Sequence, residues 1–527
     1  MKRCDKLTKK GFRDFLEILE QNEELLRVKS EVDLRYVSAI INQTEKAVLF
    51  EQVTGYDISV VGGIIGSRRR LALAVGDEFQ KITQRLREAL ERPIPSVNVD
   101  GSPIDEMLMT NEEVDLTELP IPVFASRDGA PYITSGVIMA RDPEHGLNAG
   151  MYRLMFREQN LVGIDIVTPN NLNIFYKRAL ERKVPLEVSI SMGTHPIEMI
   201  AATYKANVGI NEMHVAGGMH GEPVKLLPGK TVKVECLADA EIVLEGVLAP
   251  DGSTFPEGRF GEFSRLMGGI HINPNIRITA IRRRRDAIFY ALSMPWENIW
   301  MGAPIFEAAA WRVLGEAGVE ATAVHITPGG CCHWHVIASI KKKPGDGKNA
   351  LAALLSIADI KHAIVTDSDI DIFDPVELEW AIATRVQADK DVVILSRARA
   401  KPLDPSIPPV GHGITTAVTT AKMGLDATIP EDVPKNRYER ITYPFFDKVR
   451  LEDFLKEIPA RDRPHTPLER LQEKILASLR PQPLYFAEIL DVLREESYRE
   501  IVQAFGSLNN RGLLTLDDTG RWKPTED

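Results

Sequence analysis

Apolar residues recur at one-face helical spacing near the start of the chain, at Phe12, Phe15, Leu16 and Leu19, and predict an amphipathic helix there. The period then shortens. "AVLFEQV" and "ISVVGGIIGS" are short and β-branched and predict strands, whereas "EFQKITQRLREALE" returns to helical spacing. Proline-bearing stretches, "RPIPSVNVDGSP" and "ELPIPVFASRDGAP", predict a crossing between domains. From about residue 131 to 295 strand-like runs dominate: "ITSGVIMA", "NLVGIDIV", "PLEVSISM", "AEIVLEGVL", "NIRITAI" and "AIFYALS". Their density, with turn residues between, predicts a barrel or sandwich-like sheet. From about 305 to 400 helical stretches alternate with "HVIASI", "HAIVTD" and "DVVILS", an α/β pattern. After "RDRPHTP" come helical segments, then Leu513, Leu514 and Leu516, a turn at "DDTG", and Trp522; that order resembles a winged-helix module. The expected class is therefore α/β (α+β) and multidomain. The expected divisions are an N-terminal α/β domain (1–115), a strand-rich domain (116–300), a second α/β domain (301–465) and a winged-helix-like module (466–527).

Composition narrows the function classes. A chain of 527 residues exceeds one core. Its 44% hydrophobic and 26% charged content is that of a soluble globular protein, with no apolar run long enough to cross a bilayer. The net charge of -11 argues against broad nucleic-acid binding. The tail from Pro467 onward carries 8 Lys or Arg against 11 Asp or Glu, which suits partner binding or packing better than phosphate contact. Four cysteines, two of them adjacent, do not form a disulfide framework, and "MKRCDKLTKKGFRDF" has no apolar stretch behind its basic residues. A reducing cytoplasm is the expected compartment.

Several short patterns carry chemistry in principle. "PGDGKNA" fails the P-loop pattern, and "DSDIDIFD" fails the calcium loop because Ile372 stands where glycine is required and Leu378 at the twelfth position. "CCHWH" offers soft ligands, with His333 and His335 expected on one strand face, but no second zinc-spaced cluster accompanies it. "LNAGMYR" places Asn148, a hard oxygen donor, near Arg153, a fork for carboxylate or phosphate. "EGRFGE" sets Glu257 and Glu262 five positions apart, and only a bent backbone, which Gly258 and Gly261 permit, can aim both acids at one place.

Taken together, these segments resemble the UbiD family of reversible decarboxylases. The resemblance runs through "FRDFLEILEQNEELLRV", "YITSGVIMARDPEHGLNAGMYRLMF", "EIVLEGVLAPDG" and "PEGRFGEF", then "DSDIDIFDPVELEWAIATRVQADKDVVIL" and "GHGITTAVTTAKMGLDAT", in order up to about residue 450. It implies a central split-β-barrel that binds prenylated FMN and an α/β domain that mediates oligomers. It also implies a catalytic Glu257, Arg153 and Glu262, with Glu262 as proton donor, Arg153 steering the substrate carboxylate and Glu257 orienting Arg153. Arg259 stands where the family pattern commonly has proline. The implied divalent ion, Mn2+ or Mg2+, falls to Asn148, Asn171 and Glu212, with Asn171 at the family's usual histidine position, and K+ is expected beside it. The implied flavin contacts are Gly150, Met151, Tyr152, Arg153, Asn170, Ala202, Thr203, Tyr204 and Glu212, with Lys422 reaching the phosphate.

The resemblance implies an aromatic, heteroaromatic or α,β-unsaturated carboxylic acid as substrate, CO2 as product or co-substrate, a flavin prenyltransferase as cofactor supplier, and a homo-oligomer, dimer or hexamer. "MPWENIWMGAP" and "VHITPGGCCHWH" are the expected substrate-side segments. Two other readings stand beside this one. One is a flavin-binding oxidoreductase; the other is a non-catalytic subunit or regulator of a carboxylase complex, against which the intact Glu257, Arg153 and Glu262 speak.

Overall fold

The computed structural model describes residues 11–78, 81–166, 170–204, 207–401, 403–407, 418–455 and 465–525. The chain forms two compact units, Met1–Val433 and Pro434–Asp527. The first is a mixed α/β body built around a curled half-barrel sheet of nine strands. Along that sheet run Tyr132–Ile133, Leu154–Glu158, Leu161–Ile164, Asn275–Arg283, Ile242–Leu248, Leu186–Met192, Val137–Asp142 and Gly146–Met151, with Met107–Thr110 also paired to Asn275–Arg283. Its pairings are antiparallel.

Burial on both faces explains why its strands read as nearly continuous apolar runs. Successive side chains of a strand point to opposite faces. Val137 and Met139 accordingly join one core with the helices Pro196–Thr203 and Glu212–His220, while Ile138 and Ala140 join a second core with Phe175 and Tyr176 of the helix Asn171–Arg182. Those three helices sit where strand-like runs had dominated the sequence pattern. The first begins at Asn170, whose side chain accepts from the Asn173 amide, and the second at His195-Pro196, with proline in the first turn.

A second sheet joins Leu25–Val28, Ala47–Phe50 and Ser59–Gly62 to Ile288–Tyr290. The run "AIFYALS", expected in the barrel, thus belongs elsewhere: Ile288–Tyr290 pairs parallel with Ser59–Gly62. Alternation marks a strand but not its sheet, and Ser135 Oγ and Thr134 Oγ1 tie this segment across by donating to the carbonyls of Tyr290 and Leu292. The helix Phe12–Gln21 forms as expected and buries Phe12, Phe15, Leu16 and Leu19. The α/β portion of the first unit has five strands in the order Ala321–Ile326, His335–Ile340, His362–Asp367, Thr419–Ala427 and Val392–Arg399, packed with the helices Trp296–Glu316 and Asp346–Ser356.

The second unit contains Leu468–Leu479, Phe486–Val492 and Tyr498–Asn510, then the hairpin Leu514–Leu516 with Trp522–Pro524. An isolated antiparallel bridge joins Leu484 to Trp522 of that hairpin. Its own core is Leu471, Ile475, Leu479, Ile489, Ile501, Ala504 and Leu508. No helix among the described residues is long and apolar enough to cross a membrane.

Candidate active site

The strand Gly146–Met151 ends just before Tyr152 and Arg153, and the chain re-enters the sheet at Leu154. Arg153 faces the short hairpin of Phe255–Glu257 and His271–Asn273. There the "EGRFGE" bend delivers three side chains to one guanidinium. Glu257 accepts from Arg153 Nε and Nη2, both at 3.0 Å. Glu262 Oε1 accepts from Nη1 at 2.6 Å. The ring of Phe260 lies 5.0 Å from the guanidinium carbon. Gly258 has φ +107, and a Cβ there would stand 2.3 Å from the Gly269 carbonyl oxygen, so the bend requires glycine. Gly261 donates its amide to Asp128 Oδ1, which pins the other end.

Glu257 is fully buried and held on all sides: Tyr132 Oη donates to Oε1 at 3.1 Å and Asn273 Nδ2 approaches Oε2 at 3.4 Å. Glu262 is different. Among the described residues its Oε2 has no hydrogen-bond partner. Burial lifts the Glu262 carboxyl above its ordinary range; Arg153 opposes the rise, while the charges of Asp165 and Glu257 add to it. Burial works against the Arg153 charge as well, but Glu257, Asp165 and Glu262 together overcome it and hold the guanidinium protonated. The arrangement sets a fixed cation against one fully anchored carboxylate and one carboxyl that holds its proton more tightly than a solvated glutamate does. Asp165 was not singled out from sequence. It lies 2.7 Å from Arg153 Nη2, just past the strand Leu161–Ile164. Sequence spacing held no signal for it, since the contact depends on how that strand end meets the hairpin.

Several of the expected cofactor and metal residues precede Arg153 on or just past the strand Gly146–Met151. Asn148 and Glu212 are buried, and the Ala149 amide donates to Glu212 Oε2 at 2.8 Å, which draws that carboxylate to the strand carrying Asn148, Gly150 and Met151. Burial pushes Glu212 up to about 7, and a cation seated there would return it to the anionic form. Asn171 opens the helix Asn171–Arg182, and Asn170 at its cap accepts from Tyr152 Oη at 3.2 Å. The amides of that first turn offer a positive end suited to a phosphate. Tyr152 folds back over Gly150, where a Cβ would meet the tyrosine ring at 2.6 Å. Ala202 and Thr203 end the helix Pro196–Thr203, with Tyr204 as its cap. Asn148, Asn171 and Glu212 each carry a side-chain oxygen, the donor type that hard divalent ions prefer. The neighbouring residues 167–169 and 205–206 lie outside the described residues, as do 411–417 of the motif "GHGITTAVTTAKMGLDAT".

Lys422 is placed otherwise. Its ammonium is buried and donates to the carbonyls of Leu355, Ile357 and Ala358, capping the end of the helix Asp346–Ser356, and burial lowers it to about 8. In the substrate-side segments, Trp300 is core, and His325 sits 3.6 Å from the buried Glu307. His333 does not share a strand face with His335. It lies in a turn after Cys331 and Cys332, both at positive φ, and the strand begins at His335. His333 instead stacks on Phe263, next to Glu262, at 4.1 Å between ring centres, with Phe306 at 4.5 Å.

Two further groups of side chains among the described residues come close enough to share a cation. Asp165, Glu257 and His271 already surround Arg153, which supplies their positive charge. In the group of His195, Glu198 and His220, the Nδ1 of His195 accepts the Ile197 amide at its helix cap and His220 Nε2 lies 2.8 Å from Glu198 Oε1.

Comparison with known proteins agrees with this architecture in three consecutive stretches. The 3-octaprenyl-4-hydroxybenzoate carboxy-lyase N-terminal domain matches residues 16–90, the Rift-related domain of the same name residues 96–296, and the C-terminal domain residues 299–427. Anhydromevalonate phosphate decarboxylase of Methanothermobacter thermautotrophicus is 36% identical over 424 residues, spanning 79% of this chain and 96% of that protein. Phenolic acid decarboxylase of Sedimentibacter hydroxybenzoicus is 29% identical, over 85% of this chain and 98% of that one. The UbiD-class enzyme HmfF from Pelotomaculum thermopropionicum in complex with FMN superposes with a TM-score of 0.79 at 36% identity, covering 84% of this chain and all of its own. An evolved dimeric form of HmfF in complex with prFMN gives a TM-score of 0.76 at 34% identity, over 85% of this chain and 100% of its own.

Proposed function

The chain belongs to the UbiD family of carboxy-lyases, and we propose that it removes CO2 from an aromatic, heteroaromatic or α,β-unsaturated carboxylic acid with prenylated FMN bound beside Arg153. The observation that carries this reading is the convergence of Glu257 and Glu262 on Arg153. Prenylated FMN, when bound, would supply the sink for the electron pair left as CO2 departs. Asn148, Asn171 and Glu212 would hold Mn2+ or Mg2+ at its phosphate, with K+ nearby. Gly150, Met151, Tyr152, Asn170, Ala202, Thr203 and Tyr204 would line the ring system. The contacts of Lys422 speak for a helix cap instead.

The residues divide the remaining work. Arg153 orients the substrate carboxylate while its own position is fixed by the fork to Glu257. Tyr132 and Asn273 hold Glu257 in place, and burial of Phe260 and Phe263 excludes water around the pair. Glu262 donates its proton, from the oxygen left without a partner, to the carbon that lost CO2. Phe263, His333 and Phe306 form an aromatic cluster that begins at the residue after that acid, a surface on which a planar substrate could stack. The chain would work as a homo-oligomer supplied by a flavin prenyltransferase.

The test is co-production with a flavin prenyltransferase, an absorption spectrum of the purified protein, and CO2 release from a panel of aromatic and unsaturated acids. Uptake of the modified flavin with turnover of at least one acid is expected. Uptake without turnover of any acid, or failure to take up the flavin, would sink the reading.

A further inference from the structure

Arg153 is one cation facing three carboxyl groups. Its Nη2 is shared between Glu257 Oε2 at 3.0 Å and Asp165 Oδ2 at 2.7 Å, and Nη1 alone reaches Glu262. Asp165 is itself held in register. Asn273 Nδ2 spans Asp165 Oδ1 and Glu257 Oε2, each at 3.4 Å, and His271 Nδ1 stands 4.0 Å from Asp165 Oδ2. Asn273 and His271 belong to the strand paired with Glu257, so Asp165 is built into the same hairpin that carries the acids. A single guanidinium cannot neutralise three carboxylates at these distances in a site of low dielectric.

Resting on the decarboxylase reading, we propose that Asp165 is a positioning residue: it draws the Arg153 charge away from Glu262, so that the Glu262 carboxyl meets the substrate carrying its proton. The step balances. The substrate carboxylate leaves as CO2, its bonding pair ends in a new C–H bond with the Glu262 proton, Glu262 is left anionic, and one proton from water restores it. The other charges around Glu262 are committed elsewhere. Asp128 accepts backbone amides at 124, 125 and 261; Arg259 donates to the Gly268 carbonyl; Arg265 donates to the carbonyls of Pro328 and Gly329. Lys401 lies over Phe263 at 4.4 Å, and His333 stacks on that ring. Burial and the charge of Asp165 both act to raise Glu262 above its ordinary range.

The experiment is a titration of Glu262 in the full chain purified without prenylated flavin, by 13C NMR of glutamate carboxyl carbons, with the resonance assigned by its loss in Glu262→Gln. In Asp165→Asn the midpoint should fall by about one pH unit, and Asp165→Glu should restore it. In the loaded enzyme the basic limb of kcat/KM should move down by the same amount. Should Asp165→Asn fail to fold, Asp165→Ser serves, with the same expected fall. An unchanged or raised midpoint overturns the role of Asp165, whether or not the enzyme turns over. A fallen midpoint upholds it even if no acid is decarboxylated, in which case the decarboxylase reading is the one that fails.

Discussion

Arg153 and Glu257 meet through two parallel hydrogen bonds of 3.0 Å, whereas the same guanidinium touches Glu262 through one. That asymmetry separates an anchor from an acid. The fork fixes the guanidinium in plane and leaves a single N–H to face Glu262, whose second oxygen stays available for a proton.

Glu262→Gln keeps the shape and the hydrogen-bonding reach but cannot donate a carboxylic proton. Turnover of the loaded enzyme should fall by roughly 10²–10⁴-fold. Flavin uptake and melting temperature should stay close to wild type. An activity assay beside a thermal melt separates these outcomes, and an equal loss in both would point to a structural role.

Arg153→Ala strands a fully buried Glu257 without its cation. The loss should be roughly 3–5 kcal/mol in denaturant unfolding, as for other broken buried pairs. Arg153→Lys should recover part of the stability but not the activity, since an ammonium cannot serve the fork and Glu262 together.

At the proposed metal site, Asn171→His should move preference from Mg2+ toward softer transition ions, by about tenfold in the ratio of affinities for Ni2+ and Mg2+ measured calorimetrically. Glu212→Ala should abolish any rise of melting temperature on adding Mn2+ to the flavin-loaded protein. A thermal shift that survives Glu212→Ala would place the ion elsewhere.

Burial lowers His335 to about 4, with repulsion from His362 and His325 adding to the effect. An unfolded histidine takes up a proton below about 6.5, the folded one only below about 4. Between those values the unfolded chain binds more protons, so stability rises with pH there and is lost on acidification. The wild type should lose roughly 2–3 kcal/mol from this residue between pH 7 and pH 4, and His335→Gln should flatten that part of the profile. Unfolding free energies measured at several pH values provide the check.

Much of this site was legible in the chain itself. The two glycines of "EGRFGE" permitted a bend that could bring Glu257 and Glu262 together, and the structure brings both to Arg153. The strands at 137–142, 186–192 and 242–248 stood out through their apolar β-branched runs. What was hidden depended on partners distant in sequence. Ile288–Tyr290 looks like any barrel strand until Ser59–Gly62 is seen beside it. Arg68 and Arg70 are both buried, Arg68 against Glu307 and Arg70 against Glu24, partners far away along the chain. Lys422 looked like a phosphate ligand by matching, and only the three carbonyls at its ammonium reveal a cap. His333 gave no sign of its turn, because consecutive positive-φ cysteines are not a pattern that composition announces.

The unit from Pro434 onward encloses its own apolar interior, and the family matches stop at residue 427. Relatives whose own length is almost fully covered leave about a fifth of this chain unmatched. A unit that closes its own core can fold by itself, so heating the full chain should give more than one unfolding transition.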